Sequence, residues 1–94
     1  MAELLRITPQ DNVAVALTAL SSGQTVTLDG IALTTVTDVP AGHKVALFPI
    51  KAGEKVIKYG FPIGYAKEDI PVGASLREIL DKGMRTVMNE KFGV

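Results

Sequence analysis

One histidine, two lysines, a tyrosine and an Asp-Asn step carry most of the chemistry available to this 94-residue chain. His43 is its single histidine. An imidazole changes charge near neutrality, so His43 can move a proton or act as a ligand. The competing reading is a turn-edge histidine bonded to backbone. Lys44 and Lys58 suit an anionic group on a substrate, or are simply solvated. Tyr59 can offer a phenol to a substrate hydroxyl, or fill core. Asp11 and Asn12 can point into a site, or cap an Asx-turn. Gly60 and Gly64 allow a ligand or partner to approach backbone closely in tight turns. These residues divide into candidate catalytic groups (His43, Lys58, Tyr59) and candidate binding groups (Asp11, Asn12, Lys44, Gly60, Gly64). A lone histidine among scattered carboxylates has no metal-ligand spacing. Phosphate-binding loops and nucleophile elbows are absent from the sequence.

The elements that must position these groups are short. Leu4 to Ile7 reads as a strand stopped by Thr8-Pro9. Val13, Val15 and Leu17 alternate with alanines, which favours a strand. Gln24 to Leu28 and Ile31 to Val36 flank Asp29-Gly30, a type I′ hairpin signal. Lys44 to Phe48, Lys55 to Tyr59 and Phe61 to Tyr65 complete a nearly all-β region. Four segments repeat an apolar residue, a Gly three positions on and a second apolar residue three beyond that. They are Leu20–Gly23–Val26, Val39–Gly42–Val45, Ile50–Gly53–Val56 and Ile70–Gly73–Leu76. Each reads as a turn whose Gly takes positive φ between two core residues.

After residue 75 the pattern changes. Ser75-Leu76-Arg77-Glu78 has the form of a capping box. Leu76, Ile79, Leu80, Met84, Val87 and Met88 follow at helical spacing, with Gly83 inside the run. The expectation is a mostly β domain over 1–75 and a C-terminal amphipathic α-helix over 76–94. The helix stripe either packs on the β domain or, over 76–88, meets a second copy as a homo-oligomer.

Composition bounds the partners. Ten basic and ten acidic residues leave no net charge, which argues against nucleic acid or an anionic membrane surface. Without cysteine there are no disulfides or thiolate metal sites. No apolar run reaches membrane-span length and the N-terminus lacks secretory-signal features, so a cytoplasmic location is expected. With 47% apolar residues but only 5% aromatic, the core must be aliphatic.

Several motifs occur together and in order: Asp11-Asn12-Val13-Ala14-Val15-Ala16-Leu17, Val39-Pro40-Ala41-Gly42-His43-Lys44, Ala52-Gly53-Glu54-Lys55-Val56-Ile57-Lys58-Tyr59-Gly60, Pro62-Ile63-Gly64 and Ile70-Pro71-Val72-Gly73. In this the chain resembles the SAF (β-clip) domain of the altronate and galactarate dehydratases, and is similar to the small subunit of sulfolactate sulfo-lyase. The resemblance covers roughly residues 5 to 75. It implies a β-clip fold and a small component of a sugar-acid dehydratase, a carbon–oxygen lyase, whose site is completed by a large catalytic subunit. The complete enzymes it points to often use a divalent metal, with none bound by this chain alone. Family members follow the last knuckle with a His-Thr-His-Asn-like segment, where this chain has Arg77-Glu78-Ile79-Leu80. The alternative function is a non-catalytic assembly module that self-associates through the C-terminal helix.

Overall fold

Four glycine knuckles set the architecture, and each one makes the turn that its sequence predicts. The computed structural model describes residues 3–81 and 84–89. Gly23, Gly42, Gly53 and Gly73 take φ of 82, 87, 87 and 84°, a region that L side chains enter only at a cost. Their leading apolar residues meet in pairs, Leu20 with Val39 and Ile50 with Ile70. Their trailing residues Val26, Val45, Val56 and Leu76 are all buried. The knuckles therefore work two by two.

The strands are β1 (Leu4–Leu5), β2 (Val13–Ala16), β3 (Thr25–Leu28), β4 (Ile31–Thr34), β5 (Lys44–Ala46), β6 (Lys55–Lys58), β7 (Phe61–Ala66), β8 (Ser75–Asp81) and β9 (Met84–Asn89). Seven form one sheet in the order β1-β2-β5-β8-β9-β7-β6, while β3 and β4 form a separate hairpin. All pairings are antiparallel except β7 with β9. The Asp29-Gly30 turn has φ of 51 and 79°, as a type I′ hairpin requires.

The two halves are copies of one plan. β3–β4 corresponds to β6–β7, and the turn Asp29-Gly30 to Tyr59-Gly60, which has φ of 57 and 77°. The offset is 30 residues from Leu20 to Ile50 and 31 from Val39 to Ile70. A register shift between Val56 and Ile57 absorbs the extra residue. Even the turn bonds repeat. The Ser22 N–H donates to Asp38 Oδ1 and the Ala52 N–H to Asp69 Oδ1, each at 2.9 Å. Likewise the Ser21 N–H reaches Gln24 Oε1 and the Lys51 N–H reaches Glu54 Oε1.

Each half has its own core. Leu20, Val26, Leu33, Val39 and Val45 belong to one cluster; Ile50, Val56, Ala66, Ile70, Leu76 and Val87 belong to the other. β2 and β5 serve both, because successive side chains on a strand point to opposite faces. Val13 and Ala46 enter the second cluster, Ala14 and Val45 the first.

The C-terminal segment corrects the sequence reading: no helix occurs among the described residues, and the segment forms β8 and β9 instead. The cause is tertiary. β5 and β7 each present an open edge, and backbone groups there need partners. β8 pairs with β5 through Lys44–Leu76 and Val45–Ser75, and β9 with β7 through Tyr65–Thr86 and Ala66–Val87. Ser75 cannot cap a helix from within a strand; its N–H donates to Thr37 Oγ1 at 3.2 Å. Leu76 and Val87, two members of the expected helical stripe, are buried in the second core. Self-association through a 76–88 helix falls with the helix. The parts of that expectation at 82–83 and 90–94, with Gly83 among them, lie outside the described residues.

Candidate functional site

The candidate residues gather in two groups, at opposite ends of β2. At its C-terminal end stands His43, half-buried and immediately after the positive-φ Gly42. Its peptide is held on both sides: the His43 N–H donates to the Pro40 carbonyl at 3.1 Å, and the His43 carbonyl accepts from the Ala16 N–H at 2.9 Å. Lys44, also half-buried, sits in β5 between Val15 of β2 and Leu76 of β8. An open groove of about 360 Å³, lined by Ala19, Leu20, Ser21, Asp38, Val39 and Pro40, reaches this turn through Pro40.

At the N-terminal end, Asp11 and Asn12 fasten the β6–β7 hairpin. Asp11 is buried, with Oδ1 accepting from the Gly60 N–H and the Thr8 hydroxyl, both at 2.8 Å. Its Oδ2 accepts from the Ile7 and Thr8 N–H groups at 3.2 Å. Burial alone would raise the carboxyl pKa. The hydrogen bonds from Gly60, Thr8 and the Tyr59 backbone outweigh that and bring it down to about 2. Asn12 acts as a surrogate strand residue: its Nδ2 donates to the Lys55 carbonyl at 3.0 Å and its Oδ1 accepts from the Ile57 N–H at 2.8 Å. Its own N–H donates to the Ile57 carbonyl at 3.2 Å. The amide so ties β6 to the entrance of β2.

The hairpin tip held in this way carries Lys58, Tyr59 and Gly60, with the Lys58 Nζ 4.7 Å from the centre of the Tyr59 ring. Gly64 lies in β7 opposite Val56, beside the register shift. From Asn12 to Ala16 is four residues, about 13 Å at ~3.3 Å per residue. The structure thus brings Asp11, Asn12, Lys58, Tyr59 and Gly60 together, and His43 with Lys44, but not the two groups round one pocket.

The internal duplication separates residues the frame needs from residues it tolerates. Asp38 and Asp69 do the same turn-bonding in both halves, as do Gln24 and Glu54. His43-Lys44, by contrast, corresponds to Ala74-Ser75, and Lys58-Tyr59-Gly60-Phe61 to Leu28-Asp29-Gly30-Ile31. The frame folds with either set, so neither the imidazole nor the aromatic tip is demanded by the turn that bears it. Reasoning from the sequence passed over Arg6 and Phe48, and read Phe61 only as the start of a strand and turn. Arg6 reaches the carbonyls of Pro9 at 2.7 Å and Asp11 at 3.2 Å, and lies 5.7 Å from the centre of the Phe48 ring. Superposing the chain on itself at an offset of 30 would have marked Phe61 as a departure from Ile31.

Among the described residues no three His, Cys, Asp or Glu side chains cluster as metal ligands. The divalent metal implied by the resemblance therefore finds no donor set in them, and no step is assigned to it on this chain. Nor is any helix among the described residues long and apolar enough to cross a membrane.

Comparison with known proteins adds direct evidence of kinship. A family model for the altronate/galactarate dehydratase SAF domain matches residues 2–80. Altronate dehydratase of Escherichia coli (strain K12) is 49% identical over 71 residues, which is 76% of this chain and 14% of that protein. Altronate dehydratase of Bacillus subtilis (strain 168) is 40% identical over 73 residues, 78% of this chain and 15% of that protein. The (2R)-sulfolactate sulfo-lyase subunit alpha of Paracoccus pantotrophus is 54% identical over 41 residues, 44% of this chain and 61% of that subunit. The chain spans about 15% of the length of the altronate dehydratases it matches.

Proposed function

The chain belongs to the altronate/galactarate dehydratase SAF-domain family, and from that we propose that it is the small component of a sugar-acid dehydratase, completing a site whose larger catalytic part lies on another polypeptide or domain. The observation that carries the reading is the pairing of high identity with small coverage: 49% identity, over only 14% of one dehydratase. A domain alike in sequence yet so small a share of its relatives supports an accessory role beside a larger catalytic part.

In such a dehydration a base removes the proton α to the carboxylate and hydroxide leaves from the β carbon. Within this proposal His43 transfers a proton and Lys44 grips the substrate carboxylate. Two features support that end of β2: the half-buried His43 has its peptide fixed by backbone bonds on both sides, and a groove adjoins its turn at Pro40. The duplicated turn, with Ala74-Ser75 in their place, supports a role beyond folding.

The test is reconstitution. The chain is mixed with the large dehydratase-like polypeptide of the same genome, and 2-keto-3-deoxy acid formation from altronate and from galactarate is followed. Turnover that needs both chains is expected. The His43→Ala variant, folded as judged by circular dichroism, should then lose about 100-fold or more in turnover, the lower range for general acid–base catalysis. Unchanged turnover would remove His43 from the site, and turnover by the large chain alone would end the small-component reading.

A further inference from the structure

We propose that the tip of the β6–β7 hairpin, with Phe48 and the residue 5–9 segment beside it, is the docking surface for the large dehydratase polypeptide. The inference rests on the small-component reading above and concerns the end of β2 opposite His43.

Among the described residues the aromatic side chains lie at the surface. Phe48, Tyr59, Phe61 and Tyr65 are 42, 45, 72 and 43% exposed, while both cores are aliphatic. Large rings normally dominate cores, and when displaced from them they are enriched in interfaces. Tyr59 and Phe61 stand at the tip of one hairpin, with Tyr65 at its base opposite Lys55, and Phe48 is tied to the tip through Arg6 and the Thr8–Asp11 turn. Ile7, 52% exposed, adds to the same region.

Area distinguishes a protein from a small acid. At ~200 Å² per ring, the exposures of Phe48, Tyr59 and Phe61 leave about 320 Å² of aromatic surface in water round the tip. That is the size at which surface patches on monomers become functional. It is also about two fifths of the ~800 Å² each partner contributes to a standard interface.

The tip is also built for the purpose. Tyr59 occupies a left-handed position, φ 57°, that its counterpart Asp29 fills with far better turn chemistry. A strained residue persists where the structure over-determines it, and such strain clusters at ligand clamps and active sites. Here the Asp11 carboxylate fixes the Gly60 N–H behind it. A ring presented on a fixed backbone loses little entropy on binding. Lys58 and Arg6 flank the rings, so the complementary face is an apolar pocket bordered by carboxylates. Strand addition at the β6 edge is not the mode, since Asn12 already occupies the Ile57 N–H and the Ile57 and Lys55 carbonyls.

The experiment measures association of this chain with the large polypeptide of the same genome by titration calorimetry, and the chain alone by sedimentation velocity. The variant is Tyr59→Asn with Phe61→Thr, which suits the turn and the strand and leaves His43 untouched. The expected result is a monomeric chain alone, a complex with the wild type, and at least thirtyfold weaker binding by the folded double variant, the loss a pair of hot-spot rings produces. A complex of unaltered affinity would overturn the docking surface while leaving the small-component reading in place. Absence of any wild-type complex would overturn both. Wild-type homodimers dispersed by the double variant would show that the patch binds a second copy, and so overturn the assigned occupant.

Discussion

Asp11 shows how one carboxylate can stabilise a remote turn. It is buried, yet its four hydrogen-bond donors make ionisation easier than in water, which is why the pKa falls to about 2 from 3.8. A folded pKa below the unfolded one means that the charged form favours folding. The contribution, on the order of 2 kcal/mol, is fully present above the unfolded pKa and is lost as pH falls from about 4 toward 2. Asp11→Asn removes the charge and turns an amide N–H toward groups that are themselves donors. It should cost about 2–3 kcal/mol at pH 7. It should also flatten the acid limb of stability, read from urea unfolding at pH 7, 4 and 3. A variant as stable as the wild type at pH 7 would mean that the tip is held by its own turn rather than by Asp11.

At the scale of elements, the same glycine serves different ends in equivalent knuckles. Gly73 and Gly23 both need positive φ, but a Cβ at Gly23 would meet open space, whereas one at Gly73 would drive into the Thr34 carbonyl oxygen. Gly23→Ala should therefore cost only the backbone penalty, about 1–2 kcal/mol. Gly73→Ala adds a clash with backbone and should cost at least ~2 kcal/mol more; thermal unfolding of the two variants measures the difference, and equal losses would refute the close approach. Elements specified by such local chemistry were legible in the sequence. Asp29-Gly30 announced its hairpin, and the four glycines announced their turns. The duplication itself was visible only in part, because its glycines are spaced 30 and 31 residues apart between halves rather than evenly along the chain. The C-terminal segment was misread because Leu76, Ile79, Leu80 and Val87 fit a helical stripe, and local pattern does not reveal the open edges of β5 and β7. At the candidate site, the separation of His43 from Tyr59 followed from strand pairing and was equally hidden. What the sequence could offer was the residue types.

Across the whole molecule, the two halves share the strands between them. Were each core closed on itself, the chain would be two small folds in series, each too small to be stable alone. Instead β2 sends Val13 to one core and Ala14 and Ala16 to the other, and β5 divides Val45 and Ala46 in the same way. Asn12 adds a second link, from the entrance of β2 to β6. Melting either half would strip one face of both shared strands and leave the remaining core open to water. Unfolding should thus be a single transition, even though the plan is duplicated. Both tyrosines, Tyr59 and Tyr65, lie in the second half, so tyrosine fluorescence follows that half while far-ultraviolet circular dichroism follows both. The two signals should coincide in urea. Val26→Ala in the first core and Val56→Ala in the second, each costing about 2 kcal/mol, should shift both signals together. If Val26→Ala moved only the dichroism, the first half would be melting by itself, and β2 and β5 would not couple the cores. Coincident shifts would mean that damage anywhere in the first core also loosens the tip at Tyr59, so stability and partner binding should decline together as temperature or denaturant rises.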